Sequence, residues 1–162
     1  MTMKLAITLL VTLPLLVSSQ KCGGAHIKSG QATCTCNPDG SISCSSFQIC
    51  GVGNNNAQAQ ITADFTATVT CRNKGGNIVE VKTQNVPAEN SSPILRPDRN
   101  GCLTVPSLSV TAPQDQDFFD AAVCPNGNWE KSLRGNPTTT GFSYDVFFPS
   151  SGCEFVSIDT CA

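Results

Sequence analysis

The stretch Ile61–Thr83, ITADFTATVTCRNKGGNIVEVKT, constrains the fold more than any other part of the chain. Its first arm alternates strictly. Ile61, Ala63, Phe65, Ala67, Val69 and Cys71 fall on one face, and Thr62, Asp64, Thr66, Thr68, Thr70 and Arg72 on the other. Side chains of a strand point alternately to opposite faces, so a period of two rich in β-branched residues predicts a half-buried β-strand. The return arm follows Gly75-Gly76, and its register can be argued from the same alternation. A two-residue Gly75-Gly76 loop would set Val69 against Lys82 and Cys71 against Glu80, apolar against charged on the buried face. A three-residue loop, Lys74-Gly75-Gly76, instead pairs Cys71 with Val79 and Val69 with Val81. Thr70 then faces Glu80, Thr68 faces Lys82 and Arg72 faces Ile78 on the wetter side. Such a loop needs a left-handed residue, which glycine supplies at little steric cost, so the longer loop is expected.

The first arm begins upstream, near Gln58. At about 3.4 Å per residue, Gln58 to Arg72 would span roughly 50 Å, two to three times the usual strand. It is expected to bend, bulge or pass from one sheet to another, as strands do at the corners of barrels and orthogonal sandwiches.

Ten cysteines add the second constraint: Cys22, Cys34, Cys36, Cys44, Cys50, Cys71, Cys102, Cys124, Cys153 and Cys161. They follow a segment with the layout of a secretory signal, residues 1–19. Lys4 supplies its positive start, Leu5–Val17 its apolar run and Val17-Ser18-Ser19 a small-residue cleavage site. The apolar run falls short of the roughly 20 residues needed to cross a bilayer. The mature chain is expected to start at Gln20 or Lys21, in an extracellular setting. An even number of cysteines in an exported chain implies a disulfide framework. A zinc site is disfavoured, because Cys34 and Cys36 have one spacer residue and His26 is the only histidine. Connectivity does not follow from sequence, but parity does. Five cysteines precede Gly51 and five follow it, so complete pairing requires at least one bridge between the two halves. Cys34 and Cys36 share one strand face and should bond elsewhere rather than to each other.

Residues 20–50 have few apolar residues of their own and read as a cysteine-rich hairpin segment. Asn37-Pro38-Asp39-Gly40 is a strong turn between short strands at Thr33–Cys36 and Ser41–Ser45. A linker at Gly51–Asn56 leads into the remaining core, 51–162, and the whole mature chain has the size of one domain. Asn85–Asn100 reads as an exposed, proline-rich loop carrying the sequon Asn90-Ser91-Ser92, which makes Asn90 the candidate glycosylation site. Cys102–Val110 reads as a proline-interrupted edge strand. Phe118–Cys124 and Asn128–Leu133 flank Pro125-Asn126-Gly127 and read as a hairpin. Thr140–Phe148 and Cys153–Asp159 complete the strands. With no convincing amphipathic helix, the expected fold is all-β: an antiparallel, disulfide-stapled barrel or sandwich with the N-terminal segment packed on it.

Charge and motifs exclude several function classes. The formal net charge is −2, and the basic residues form no stripe of the kind that binds nucleic acid or anionic membrane. His26 has no flanking nucleophile motif, and no G-x-S-x-G elbow or HExxH is present. Asp115, Asp117 and Asp120 are the densest acidic cluster but lack the glycine and terminal glutamate of a dedicated calcium loop. No catalytic residue, metal or cofactor is expected. Trp129 is expected to anchor the core. Phe118-Phe119 and Phe147-Phe148 each direct one ring to either strand face, so one ring of each pair is a candidate interaction surface. Long β edges and these paired rings also invite homodimerisation.

The signal ending VSSQ, the ten cysteines and the block ADFTATVTCRNKGGNIVEVKTQ together resemble the small secreted cysteine-rich proteins of plant-associated filamentous fungi. Those of Trichoderma that act as elicitors of plant defence are the nearest in type. The resemblance implies a protein of the plant apoplast that modulates host responses, with a host extracellular protein or glycan as partner. It carries over no catalytic residue. A glycan-binding module or an inhibitor of a host hydrolase is the alternative expectation, and a small wall-active hydrolase, which would need two carboxylates about 5–10 Å apart, ranks below both.

Overall fold

The computed structural model describes residues 22–162, and the expected export segment at residues 1–19 lies outside them. In chain order the strands are β1 (His26–Gly30), β2 (Cys34–Cys36), β3 (Ile42–Cys44), β4 (Phe47–Cys50), β5 (Gln58–Thr66), β6 (Thr68–Arg72), β7 (Ile78–Lys82), β8 (Val86–Ser91), β9 (Cys102–Val105) and β10 (Leu108–Val110). A short helix α1 (Asp115–Ala121) precedes β11 (Glu130–Leu133), β12 (Thr138–Phe148) and β13 (Cys153–Ile158). The strands form four antiparallel sheets, ordered β1-β4-β9, β10-β3-β2, β11-β6-β7 and β13-β12-β5-β8. The fold is almost entirely β.

The alternating stretch folds as its pattern requires. Cys71 pairs with Val79, Val69 with Val81, Thr70 with Glu80, and Thr68 with Lys82. The turn closes through Gly76, at φ +82, whose N–H donates to the Asn73 carbonyl at 3.0 Å. All six residues of the apolar face are buried, at 5 % exposure or less. The long strand changes sheets at Ala67, between β5 and β6. There Thr83 clips the break: its hydroxyl accepts the Ala67 N–H at 3.0 Å, and its own N–H donates to the Ala67 carbonyl at 2.9 Å. Both backbone groups of Ala67 are thus satisfied without a ladder partner, which is what a buried strand needs where its sheet ends.

All four sheets contribute to one core. Ile49 and Leu103 come from the first, Ile42 and Val110 from the second, Val69 from the third, and Ile61, Phe65, Tyr144 and Val146 from the fourth. Burial of each such aliphatic or aromatic side chain is worth about 1.5–3 kcal/mol.

The ten cysteines are fully paired. Cys22–Cys153, Cys36–Cys161 and Cys50–Cys102 join the two halves of the chain, while Cys34–Cys44 and Cys71–Cys124 close within them. Cys34 and Cys36 bond elsewhere, as their shared strand face requires. The bridges are spread through the chain rather than gathered in its N-terminal part. Residues of the 20–50 segment are built into two sheets with later strands, β4 beside β9 and β3 beside β10. The turn at Asn37–Gly40 joins β2 and β3 as expected. Asp39 accepts the Ser41 hydroxyl at 2.6 Å and the Ser41 N–H at 2.9 Å, and these bonds hold its carboxyl below the usual value.

Four expectations need correction. Phe118–Cys124 is not a hairpin strand: Asp115–Ala121 is helical, and β11 pairs with β6 instead. The helix carries Asp115 and Asp117 in its first turn, where they complement its dipole, and the Gln114 N–H donates to Asp117 at 3.0 Å. Lys131 closes the other end, its ammonium donating to the carbonyls of Phe119 and Ala122 at 2.5 and 2.9 Å. Second, Asn85–Asn100 is not wholly loop, because Val86–Ser91 forms β8 along β5. Pro87 is tolerated there because β8 ends its sheet, so no further strand needs the missing N–H. Third, Cys102–Val110 is two strands in different sheets, each at an edge. Fourth, Trp129 is half-buried and lies outside the core cluster.

Candidate functional site

A groove of about 730 Å³ lies between the edge strands β1 and β13. It exists because the core surfaces there. Ile27 pairs with Ile49, and Ile49 with Leu103, so the three share the core face of their sheet. Ile49 and Leu103 are covered. Ile27 sits on β1, which ends its sheet, and is 41 % exposed.

The opposite wall comes from β13. Its pairing with β12 slips between Val146 and Phe147, leaving Phe155 as an extra residue between the pairs Val156–Val146 and Glu154–Phe147. A bulge of this kind lets two successive side chains turn inward. Phe155 and Val156 are accordingly both buried, at 6 and 8 %, although neighbours in a regular strand point to opposite faces. The Phe155 ring meets Phe148 edge to face, with centroids 6.1 Å apart.

Gly30 ends β1 at φ +77, where a Cβ would come within 2.9 Å of the Ser46 carbonyl and 3.0 Å of Phe47. Only glycine allows β1 to turn this tightly over β4. The Ala162 N–H donates to the Cys34 carbonyl at 2.9 Å, and the Cys36–Cys161 bridge pins the same segment. Ile158, Cys161 and Ala162 thereby close the end of the groove.

The lining is apolar, with Ile27, Ala32, Phe155, Val156 and Ile158 among its residues. Among the described residues His26 is its only ionisable side chain, and its Nδ1 lies 3.0 Å from the Gly24 carbonyl. The groove therefore offers apolar surface and two strand edges to a ligand. Beside it in register, Tyr144 pairs with Ile158. Its hydroxyl is buried with no hydrogen-bond partner among the described residues, and burial pushes its pKa up to about 12.

The other sequence candidates are dispersed. Of the paired phenylalanines, Phe118 and Phe148 are buried at 0 and 3 %, while Phe119 and Phe147 are half-buried on α1 and β12 respectively. One ring of each pair is thus partly open, and the core takes the other. Asp117 and Asp120 are committed to α1, Asp120 accepting the Gln116 amide at 2.7 Å. No group of three His, Cys, Asp or Glu side chains among the described residues could hold a metal ion. No helix among them is long and apolar enough to cross a membrane. Asn90 is exposed at the end of β8, its amide donating to the Ser109 carbonyl at 2.8 Å. It borders a shallow polar cleft of about 300 Å³ lined by Gln58, Gln60, Glu89, Asn90 and Ser91.

Sequence reasoning missed the groove. Its walls are more than a hundred residues apart in the chain, and β1, exposed throughout, gives no periodic signal. Comparison with protein-family models, with curated proteins and with solved structures finds no match to this chain.

Proposed function

We propose that this chain is a secreted, disulfide-stapled interaction protein of the effector or elicitor type, acting outside the cell on a plant host. Its groove receives an extended, uncharged segment of a host extracellular protein. The observation that carries this reading is the pairing of two terminal strands, β1 and β13, across one apolar groove. A strand edge presents unpaired N–H and C=O groups that an extended segment can complete, while the flanking pockets select its side chains. A volume of about 730 Å³ suits a few side chains rather than a large surface. Complete pairing of ten cysteines is in keeping with an oxidising, extracellular destination. The shared core supports reading the four sheets as one stapled barrel or sandwich, a rigid frame for such a groove.

Purified protein infiltrated into leaves or applied to roots is expected to induce defence genes. Ile27→Arg places a guanidinium in the groove at a position already 41 % exposed, so the fold survives and the response is lost. Silence across several hosts, or a response indifferent to Ile27→Arg, overturns the proposal.

The polar cleft beside Asn90 favours one second reading, a glycan-binding module, because its two glutamines and Glu89 offer the amide and carboxylate partners that sugar hydroxyls use. Retention on chitin, glucan or plant-wall polysaccharide that Gln60→Ala abolishes would support it.

A further inference from the structure

We propose that β7 is a self-recognition edge, and that two copies of this chain join through it in a single register centred on Val81. The strand ends the sheet β11-β6-β7 and is open along its length. Ile78 and Val79 are 59 and 40 % exposed, the first among the most exposed large apolar side chains of the described residues.

Which backbone groups face outward follows from the ladder. The Asn73 N–H donates to the Asn77 carbonyl and the Thr83 N–H to the Ala67 carbonyl, at 3.1 and 2.9 Å. Hydrogen-bonded pairs alternate along an antiparallel ladder, so Val79 and Val81 turn their N–H and C=O groups toward β6. Ile78, Glu80 and Lys82 turn theirs to the open edge, with no partner among the described residues.

A second copy related by a two-fold axis normal to the sheet must set outward residues opposite outward residues. Four centres satisfy this near the middle of the strand. Centring on Glu80 opposes two carboxylates, and centring on Lys82 opposes two ammonium groups. Centring on Val79 leaves both charges facing neutral residues. Centring on Val81 sets Glu80 opposite Lys82 of the other copy twice, and Val81 against Val81. Opposite charges directly across a strand pair attract, and like charges repel. Arg134 already pairs with Glu80 within the chain, so each carboxylate would lie between two cations. The two sheets would become one of six strands, and the Val79 and Val81 side chains of both copies would form a continuous apolar stripe on the face that bears Cys71.

The test is sedimentation velocity on the folded, oxidised chain across a micromolar to millimolar concentration series, with intact mass confirming the disulfides of every variant. The wild-type chain is expected to dimerise reversibly and less tightly at high salt. Glu80→Lys and Lys82→Glu each create like-charge pairs, and each alone should raise the dimer dissociation constant at least tenfold. Mixed in equal amounts, the two variants should form a heterodimer, because every facing pair is then opposite in sign. The double charge swap should restore dimerisation, though less tightly than wild type, because Arg134 then faces a like charge at position 80. A chain that stays monomeric throughout, a dimer indifferent to either single change, or variants that fail to pair when mixed would each overturn the proposal, leaving Glu80 and Lys82 as charges that keep the edge from pairing.

Discussion

Cys36 and Cys161 are separated by 125 residues in sequence, yet their Cα atoms lie 5.7 Å apart across a disulfide. Cys22–Cys153, with a separation of 131, spans nearly the same interval. The two bridges therefore constrain one large loop twice. With either in place, the other closes only the short circuit from Cys22 to Cys36 and from Cys153 to Cys161, roughly two dozen residues.

Chain-entropy arguments then predict strong coupling. Removing one bridge, as paired Cys→Ala changes, should cost about 3 kcal/mol, the value for the short circuit. Removing both also releases the large loop and should cost about 1–2 kcal/mol more than the sum of the two single losses. Denaturant unfolding of the three variants measures this. Simple additivity would show that the bridges act through local packing instead.

Tyr144 is predicted to limit stability in alkali. It is the only tyrosine in the chain, fully buried, and its hydroxyl has no partner among the described residues. Below about pH 10 the phenol is neutral in folded and unfolded chains alike. Above that value the unfolded chain ionises, while burial holds the native phenol neutral up to about 12. The native state should lose stability as pH rises through this window. Phenolate absorbance, which reports this single residue, should rise only with unfolding. Tyr144→Phe should abolish the alkaline loss and, at neutral pH, leave stability unchanged or up to about 1 kcal/mol higher, since an unpaired buried hydroxyl only costs desolvation. A destabilisation beyond 1 kcal/mol would mean that the hydroxyl has a partner after all.

What the sequence made legible follows from where local rules decide the structure. The hairpin register could be reasoned out because one face of β6 is wholly buried, so a one-residue slip would bury Glu80 and Lys82. The pairing of Cys34 and Cys36 with other cysteines followed from strand geometry alone. Helix α1 was hidden because seven residues give too few turns for a 3.6 period, and adjacent phenylalanines imitate a strand. Its signals were Asp115 and Asp117 in the first turn and Lys131 at its end, the last ten residues downstream of the helix. Strand β8 was hidden because an edge strand buries little: Val86 alone is covered. The groove and the open edge of β7 depend on which strands end their sheets, and sequence periodicity does not carry that information.

Ser92, the third residue of the sequon, is predicted to be structural. It is 4 % exposed, its hydroxyl accepts the Ala59 N–H at 2.9 Å, and its own N–H donates to the Ala59 carbonyl at 2.8 Å. Ser92→Ala would leave the buried Ala59 N–H unpaired and should cost about 1–3 kcal/mol. Asn90→Gln removes the same sequon at an exposed position and should cost less than about 1 kcal/mol. Unfolding curves of the two variants separate a structural from a glycan effect, and equal losses would assign both to the missing sugar. Because the sequon serine is locked against β5, a glycan on Asn90 would have to be added before β8 docks. Intact mass should then show modification of the nascent chain but none of the folded, unglycosylated protein offered to the same transferase.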